Sequence, residues 1–135
     1  MTQLDDQGWL ESYIAQAGAV AGTLHRFEPG GLRLAAAKNI PPKVCEVVAW
    51  VPEGKGMAGL AMQRRQAVTT CNLKDDASGD VRPGAKAVDA QAAIALPVLD
   101  QAGQVRAVVG VAYQDSRDFP PDEIGRLTRL GDSLV

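Results

Sequence analysis

Apolar residues recur at helical spacing near both ends of the chain and at strand spacing in between. Trp9, Leu10, Tyr13, Ile14 and Ala17 share one stripe, which predicts a helix from Leu4 to Ala17. Gly18 closes it, because glycine takes a left-handed cap without a Cβ clash. Across residues 19–28 (AVAGTLHRFE) the pattern switches to alternation, with Val20 and Leu24 on one side and His25 and Phe27 on the other. Pro29-Gly30-Gly31 is turn chemistry, and Leu32 and Leu34 resume the alternation, so a hairpin is expected.

Pro41-Pro42 ends that hairpin, and the second proline suits a first helical turn, where its missing N–H has no partner to lose. Val44, Val47 and Val48 then predict a short helix over 42–50. A further helix is expected from Gly56 to Arg65, with Met57, Leu60 and Ala61 inward and Arg64 and Arg65 at the end that favours cations. Residues 67–71 (AVTTC) read as a strand, and 72–90 as the longest irregular stretch, a candidate lid. Two strands follow, 92–99 and 104–114, joined by a glycine-containing hairpin loop (DQAG). The last helix opens at Pro121 with Asp122 and Glu123 in its first turn, and carries Ile124, Leu127, Leu130 and Leu134 as its stripe. Strands distant in sequence, with helices at both ends, predict one α+β domain over residues 1–135. Its central antiparallel sheet would carry the terminal helices on one face and the short helices with the long loop on the other.

Composition narrows the function. Hydrophobic residues make up 46% of the chain but aromatics only 4%, so the core must come from Ala, Val and Leu. A net charge of −2 argues against a nucleic-acid surface, which needs a basic stripe. No apolar run approaches the roughly 18 residues of a membrane span, and the acidic start MTQLDDQGWL lacks the order of a secretion signal. Cys45 and Cys71 form neither a disulfide framework nor a metal-ligand spacing, and His25 is the sole histidine. A cytoplasmic protein without a metal or cofactor is expected.

In order and in residues the chain resembles the GAF domain family over nearly its whole length. The matching pieces are AVAGTLHRFEPGGLRLAAAKNI as first hairpin, VPEGKGMAG as the turn into a helix, AVTTCNLKDD as strand and loop, AAIALPVLDQAGQVRAVVGVAY as final hairpin, and FPPDEIGRLTRLGDSLV as closing helix. The resemblance implies a PAS-like layout and a small molecule bound between the sheet and its covering segments. A nucleotide P-loop is not expected, because Lys55 is followed by Gly56-Met57 and not by Ser or Thr. The glycines of the turn are expected to let the backbone turn tightly and bring Met57 and Leu60 under the pocket.

GAF-fold reductases of free methionine-(R)-sulfoxide have turns resembling GKGVCG and loops resembling GHIACD, with cysteine as nucleophile and resolving thiol. Here Ala58 stands at the turn cysteine and Val88 nearest the nucleophile. Ala93 replaces a carboxylate, and of the last pair only Asp115 remains. Sulfoxide reduction needs a thiolate and a second thiol, so an enzyme is not expected. The cyclic-nucleotide signature is only echoed by Asn72, Lys74, Phe119, Asp122 and Glu123, and a covalent bilin is not expected, because Cys71 is followed by Asn72 and the sole histidine, His25, lies on the first strand. The implied ligand-binding residues are Trp50, Met57, Cys71, Ala93, Tyr113 and Asp115: alanines leave room, the aromatics supply apolar faces with a polar edge, and Asp115 supplies charge. Cys71 is either a redox thiol or a small hydrophobe. The reading is a sensory or regulatory ligand-binding domain, partnered by a small molecule, a second copy through the terminal helices, and a separate signalling protein. A divergent reductase relying on Cys71 and a ligand-free dimerisation scaffold are the alternatives.

Overall fold

The computed structural model describes residues 5–70, 92–115 and 118–134. The elements are α1 (Asp6–Ala17), β1 (Ala21–Glu28), β2 (Gly31–Lys38), α2 (Pro42–Val47), β3 (Trp50–Pro52), α3 (Gly56–Arg64), β4 (Val68–Thr70), β5 (Ala92–Leu99), β6 (Val105–Tyr113) and α4 (Pro121–Gly131). A 3-10 turn at Asp132–Leu134 ends the described chain. The strands form one antiparallel sheet in the order β3-β2-β1-β6-β5-β4.

Local chemistry sets the ends of α1. Asp5 caps its start by accepting from the Gly8 N–H at 2.7 Å, and Gly18 ends it at φ +74°. The helix expected over 42–50 stops at Val47, and Trp50–Pro52 instead pairs with β2 as an edge strand. Regular valine spacing could not announce this, since three residues are too few to show an alternation.

Two β-bulges decide which side chains share a face. Leu24 pairs with Ala36 but His25 with Leu34, so Ala35 is extra on β2. Val98 pairs with Ala107 but Leu99 with Val105, so Arg106 is extra on β6. A single inserted residue sends every later side chain to the other face. Thus Leu32 and Val105 pack towards α3, whereas Ala36 and Ala107 pack towards α1 and α4.

The terminal helices cover one face. Trp9, Leu10, Tyr13, Ile14 and Ala17 from α1 and Leu127 from α4 are buried against Leu24, Ile94, Leu96, Val98, Val109, Val111 and Tyr113. Polar ties hold this layer in register. Tyr13 Oη donates to the Leu127 carbonyl at 2.8 Å, Trp9 Nε1 donates to Ser133 Oγ at 2.9 Å, and Arg26 on β1 pairs with Asp6 on α1. On the other face α3 buries Ala61 and Met62 against Leu32, Val51, Val68, Ala95 and Val108. Among the described residues no helix is long and apolar enough to cross a membrane.

Candidate functional site

Between the sheet and the α2–α3 segment lies a cavity of about 130 Å³. Its floor is β1, β5 and β6, contributing Thr23, His25, Ala93, Ala95, Gly110 and Ala112; its cover is Ile40, Val44, Val48, Val51 and the start of α3 from Lys55 to Ala58. The floor is hollow because Ala93, Ala95, Gly110 and Ala112, which line it from β5 and β6, are small.

The glycine turn builds one end of the cover. The Gly54 N–H donates to the Gly59 carbonyl at 2.9 Å, and the Lys55 N–H to the Pro52 carbonyl at 3.1 Å. Gly56 takes φ +64°, a left-handed conformation that favours glycine. A Cβ on Gly59 would stand 2.5 Å from the Pro52 carbonyl oxygen, so only glycine lets α3 lie this close to β3. The turn thereby brings Met57 to the cavity wall, as expected, while Leu60 packs into the core under α3 instead.

Of the six residues implied by the sequence, Met57 and Ala93 meet at the cavity. Trp50 and Tyr113 do not. Trp50 lies on the edge strand, half-buried against Gly31, with the Arg33 guanidinium 5.1 Å from its ring centre, and its neighbour Val51 is the one that lines the cavity. Tyr113 pairs with Ala92 on the helix face, where its hydroxyl donates to the Ala17 carbonyl at 3.3 Å and its ring packs beside Phe119. Ala112, one residue earlier, faces the cavity with its partner Ala93. Asp115 is exposed beyond the end of β6. Cys71 and the expected lid 72–90 lie outside the described residues.

The residue that sequence reasoning left without a role is His25. Its side chain lines the cavity and the residue is 2% exposed. Its Nε2 lies 2.8 Å from the Val48 carbonyl, at the end of α2, while Nδ1 is buried and has no hydrogen-bond partner among the described residues. Burial holds the imidazole pKa below its ordinary 6.5, and the Val48 hydrogen bond opposes that only in part. A carbonyl can only accept, so Nε2 carries the proton and Nδ1 presents a bare lone pair. Leaving such an acceptor unpaired costs about 1–3 kcal/mol. The signal was present in the alternation, which sets His25 on the side opposite Leu24, a helix-facing residue. The other polar side chains on the described walls are Thr23 and Lys55. Among the described residues no His, Cys, Asp and Glu cluster could hold a metal.

These elements, in this order around one antiparallel sheet, define a GAF fold. The profile of the GAF domain family matches residues 10–134, and the chain belongs to that family, whose members are commonly sensory or regulatory parts of signalling proteins. No curated protein matches the chain in sequence. Among solved structures, it is similar to the GAF domain of an Acinetobacter phosphoenolpyruvate-protein phosphotransferase, with a TM-score of 0.76 at 18% identity over 98% of this chain and 81% of that one. It is also similar to the type II free methionine-R-sulfoxide reductase of Thermoplasma acidophilum, with a TM-score of 0.66 at 18% identity over 93% and 92% of the two chains. A third likeness is to a GAF domain/HD domain protein from Geobacter sulfurreducens, with a TM-score of 0.70 at 13% identity over 93% and 86%. At such identities the likeness is one of fold.

Proposed function

We propose that this GAF domain is a sensory or regulatory module that binds a small molecule in the cavity between its sheet and the α2–α3 cover. The observation that carries the reading is the pairing of a hollow apolar floor with one buried imidazole nitrogen that has no hydrogen-bond partner among the described residues. A protein interior normally fills such space and satisfies such a group. Apolar walls with a few convergent polar groups are the usual form of a small-ligand site. The structural kinship with sulfoxide reductases sets the competing reading, but Ala58 supplies no thiol at the turn.

Native mass spectrometry of the protein purified from its own host tests the reading. A co-purifying small molecule, lost when Ala112→Leu fills the floor, is the expected result. A protein that carries nothing, and whose cavity residues respond to no small molecule, would overturn it. The same proposal assigns no catalysis to the chain, so thioredoxin-coupled turnover of free methionine-(R)-sulfoxide that disappears in Cys71→Ser would replace it with the enzyme reading. A pocket event is proposed to leave through the terminal helices to a second copy or a separate signalling protein. The half-buried side chains Ile124, Leu130 and Leu134 are the ones available to such a contact. Sedimentation equilibrium of wild type and Leu130→Asp tests this: a shift from dimer to monomer is expected, and a wild-type monomer at tens of micromolar rejects it.

A further inference from the structure

The chemistry of the cavity restricts what can occupy it. The Val48 carbonyl fixes the proton of His25 on Nε2, and this leaves Nδ1 as an acceptor facing no donor among the described residues. Protonating the ring would make Nδ1 a donor, but burial opposes that charge. A lone water is a poor permanent occupant, because it needs two to four polar partners and the described walls offer few. Among the described lining residues Lys55 is the only charged one and none is acidic, so a cation brought here would lose its hydration without a counter-charge. Size sets the last limit. An engineered apolar cavity of about 150 Å³ holds benzene, and this one is about 130 Å³.

Resting on the proposed sensory function, we infer that the cavity selects a compact, largely apolar molecule of ring size that carries one hydrogen-bond donor, an N–H or O–H, and that Nδ1 of His25 accepts from that donor. The apolar body lies against Val44, Val48, Met57, Ala93 and Ala112. His25 then discriminates by what a wrong ligand leaves undone: an isostere without the donor fills the same space but strands a buried acceptor. Specificity thus rests on one nitrogen, while the walls supply sequence-tolerant burial.

Phenol and toluene provide the test, being single rings of equal size and differing in an O–H against a methyl. Both are titrated at pH 7.5 into the whole protein and into His25→Phe, which keeps a flat ring without the acceptor. The expected result is that the preference for phenol over toluene is about tenfold greater in the wild type than in the variant, the effect of one hydrogen bond to an otherwise unpaired buried group. The chain has a single histidine, so a long-range proton–nitrogen spectrum reports one imidazole. Phenol should move its Nδ1 resonance while Nε2 stays protonated, and toluene should not; this readout needs no variant. Equal preference in the two proteins, with an unmoved Nδ1, overturns the inference and leaves the ligand cavity standing. Failure of both probes to bind at millimolar concentration, with Met57 and Val44 methyl signals unmoved, overturns this inference, while the sensory reading stands or falls on the co-purifying molecule.

Discussion

The two faces of the sheet are built from the same strands and to opposite ends. Along β5, Ile94, Leu96 and Val98 point to the helices, while Ala93 and Ala95 point to the other side; along β6, Val109, Val111 and Tyr113 oppose Gly110 and Ala112. The helix face is lined by large buried side chains, and its Tyr13 and Tyr113 hydroxyls each donate to a helix carbonyl. The cavity face leaves about 130 Å³ open and one imidazole nitrogen without a hydrogen-bond partner among the described residues. Period-two alternation lets one sheet anchor stability on one side and hold a site on the other, since changing a residue changes one face only. That division predicts how each face responds to substitution.

The largest effect belongs to the helix face. Leu10 is fully buried between α1 and the sheet, so Leu10→Ala should cost about 2–5 kcal/mol, the transfer loss plus the cavity it leaves. Urea unfolding measures this, and a cost below about 1 kcal/mol would mean that α1 is not anchored as described. Next is Tyr13→Phe. It removes the donor to the buried Leu127 carbonyl without changing the packing, and should cost about 1–3 kcal/mol. Replacing both partners' surroundings is not needed to see it; a neutral result would show that the carbonyl finds another donor.

How much of this contrast was legible in the sequence depends on the scale. The two hairpins, the terminal helices and the helix after the glycine turn follow from periodicity, glycine and proline and stand where the pattern put them, whereas the helix expected over 42–50 ends at Val47. The bulges at Ala35 and Arg106 were not legible, because an extra residue in a strand leaves no mark in a short alternating run. β3 was hidden by its length of three residues. At the site, Met57 and Ala93 were legible because the turn and the small residue each have a local reason to be there. Trp50 and Tyr113 were carried over as neighbours of the pocket, yet each is one residue out of phase with a true lining residue, Val51 and Ala112. Ala93 and Tyr113 could never share a face: Ala93 is paired with Ala112, and Tyr113 with Ala92. His25 was visible on its strand, but its role rests on the Val48 carbonyl, a contact 23 residues away that no local pattern encodes.

A third effect comes from acid. Folding lowers the His25 pKa, so the unfolded chain binds the proton more readily than the folded one. Stability is therefore full above the ordinary 6.5 and is lost as pH falls below it, levelling off beneath the folded pKa. A single group cannot contribute more than about 1.4 kcal/mol per pH unit. Lys55 is the charged group among the described residues lining the same cavity. Urea midpoints at pH 7 and pH 5.5 should fall further for wild type than for His25→Phe. Parallel losses in the two proteins would assign the acid sensitivity elsewhere.

The smallest effect is the sharpest for the comparison, because it makes the same change at adjacent residues of one strand. Ala92 is fully buried on the helix face, and Ala93 lines the cavity. Two added methyl groups at Ala92 have nowhere to go, so Ala92→Val should cost about 1–3 kcal/mol through displaced neighbours. At Ala93 the same groups enter open apolar space and gain burial, and valine also suits a strand better than alanine. Ala93→Val should therefore be neutral or stabilising by up to about 1 kcal/mol. It should also weaken binding of any cavity ligand, since it takes the space the ligand needs. Opposite signs in urea unfolding, together with lost phenol binding in Ala93→Val alone, are the expected outcome. If both variants lose stability equally, the cavity face is packed as tightly as the helix face, and the division between anchoring and binding fails.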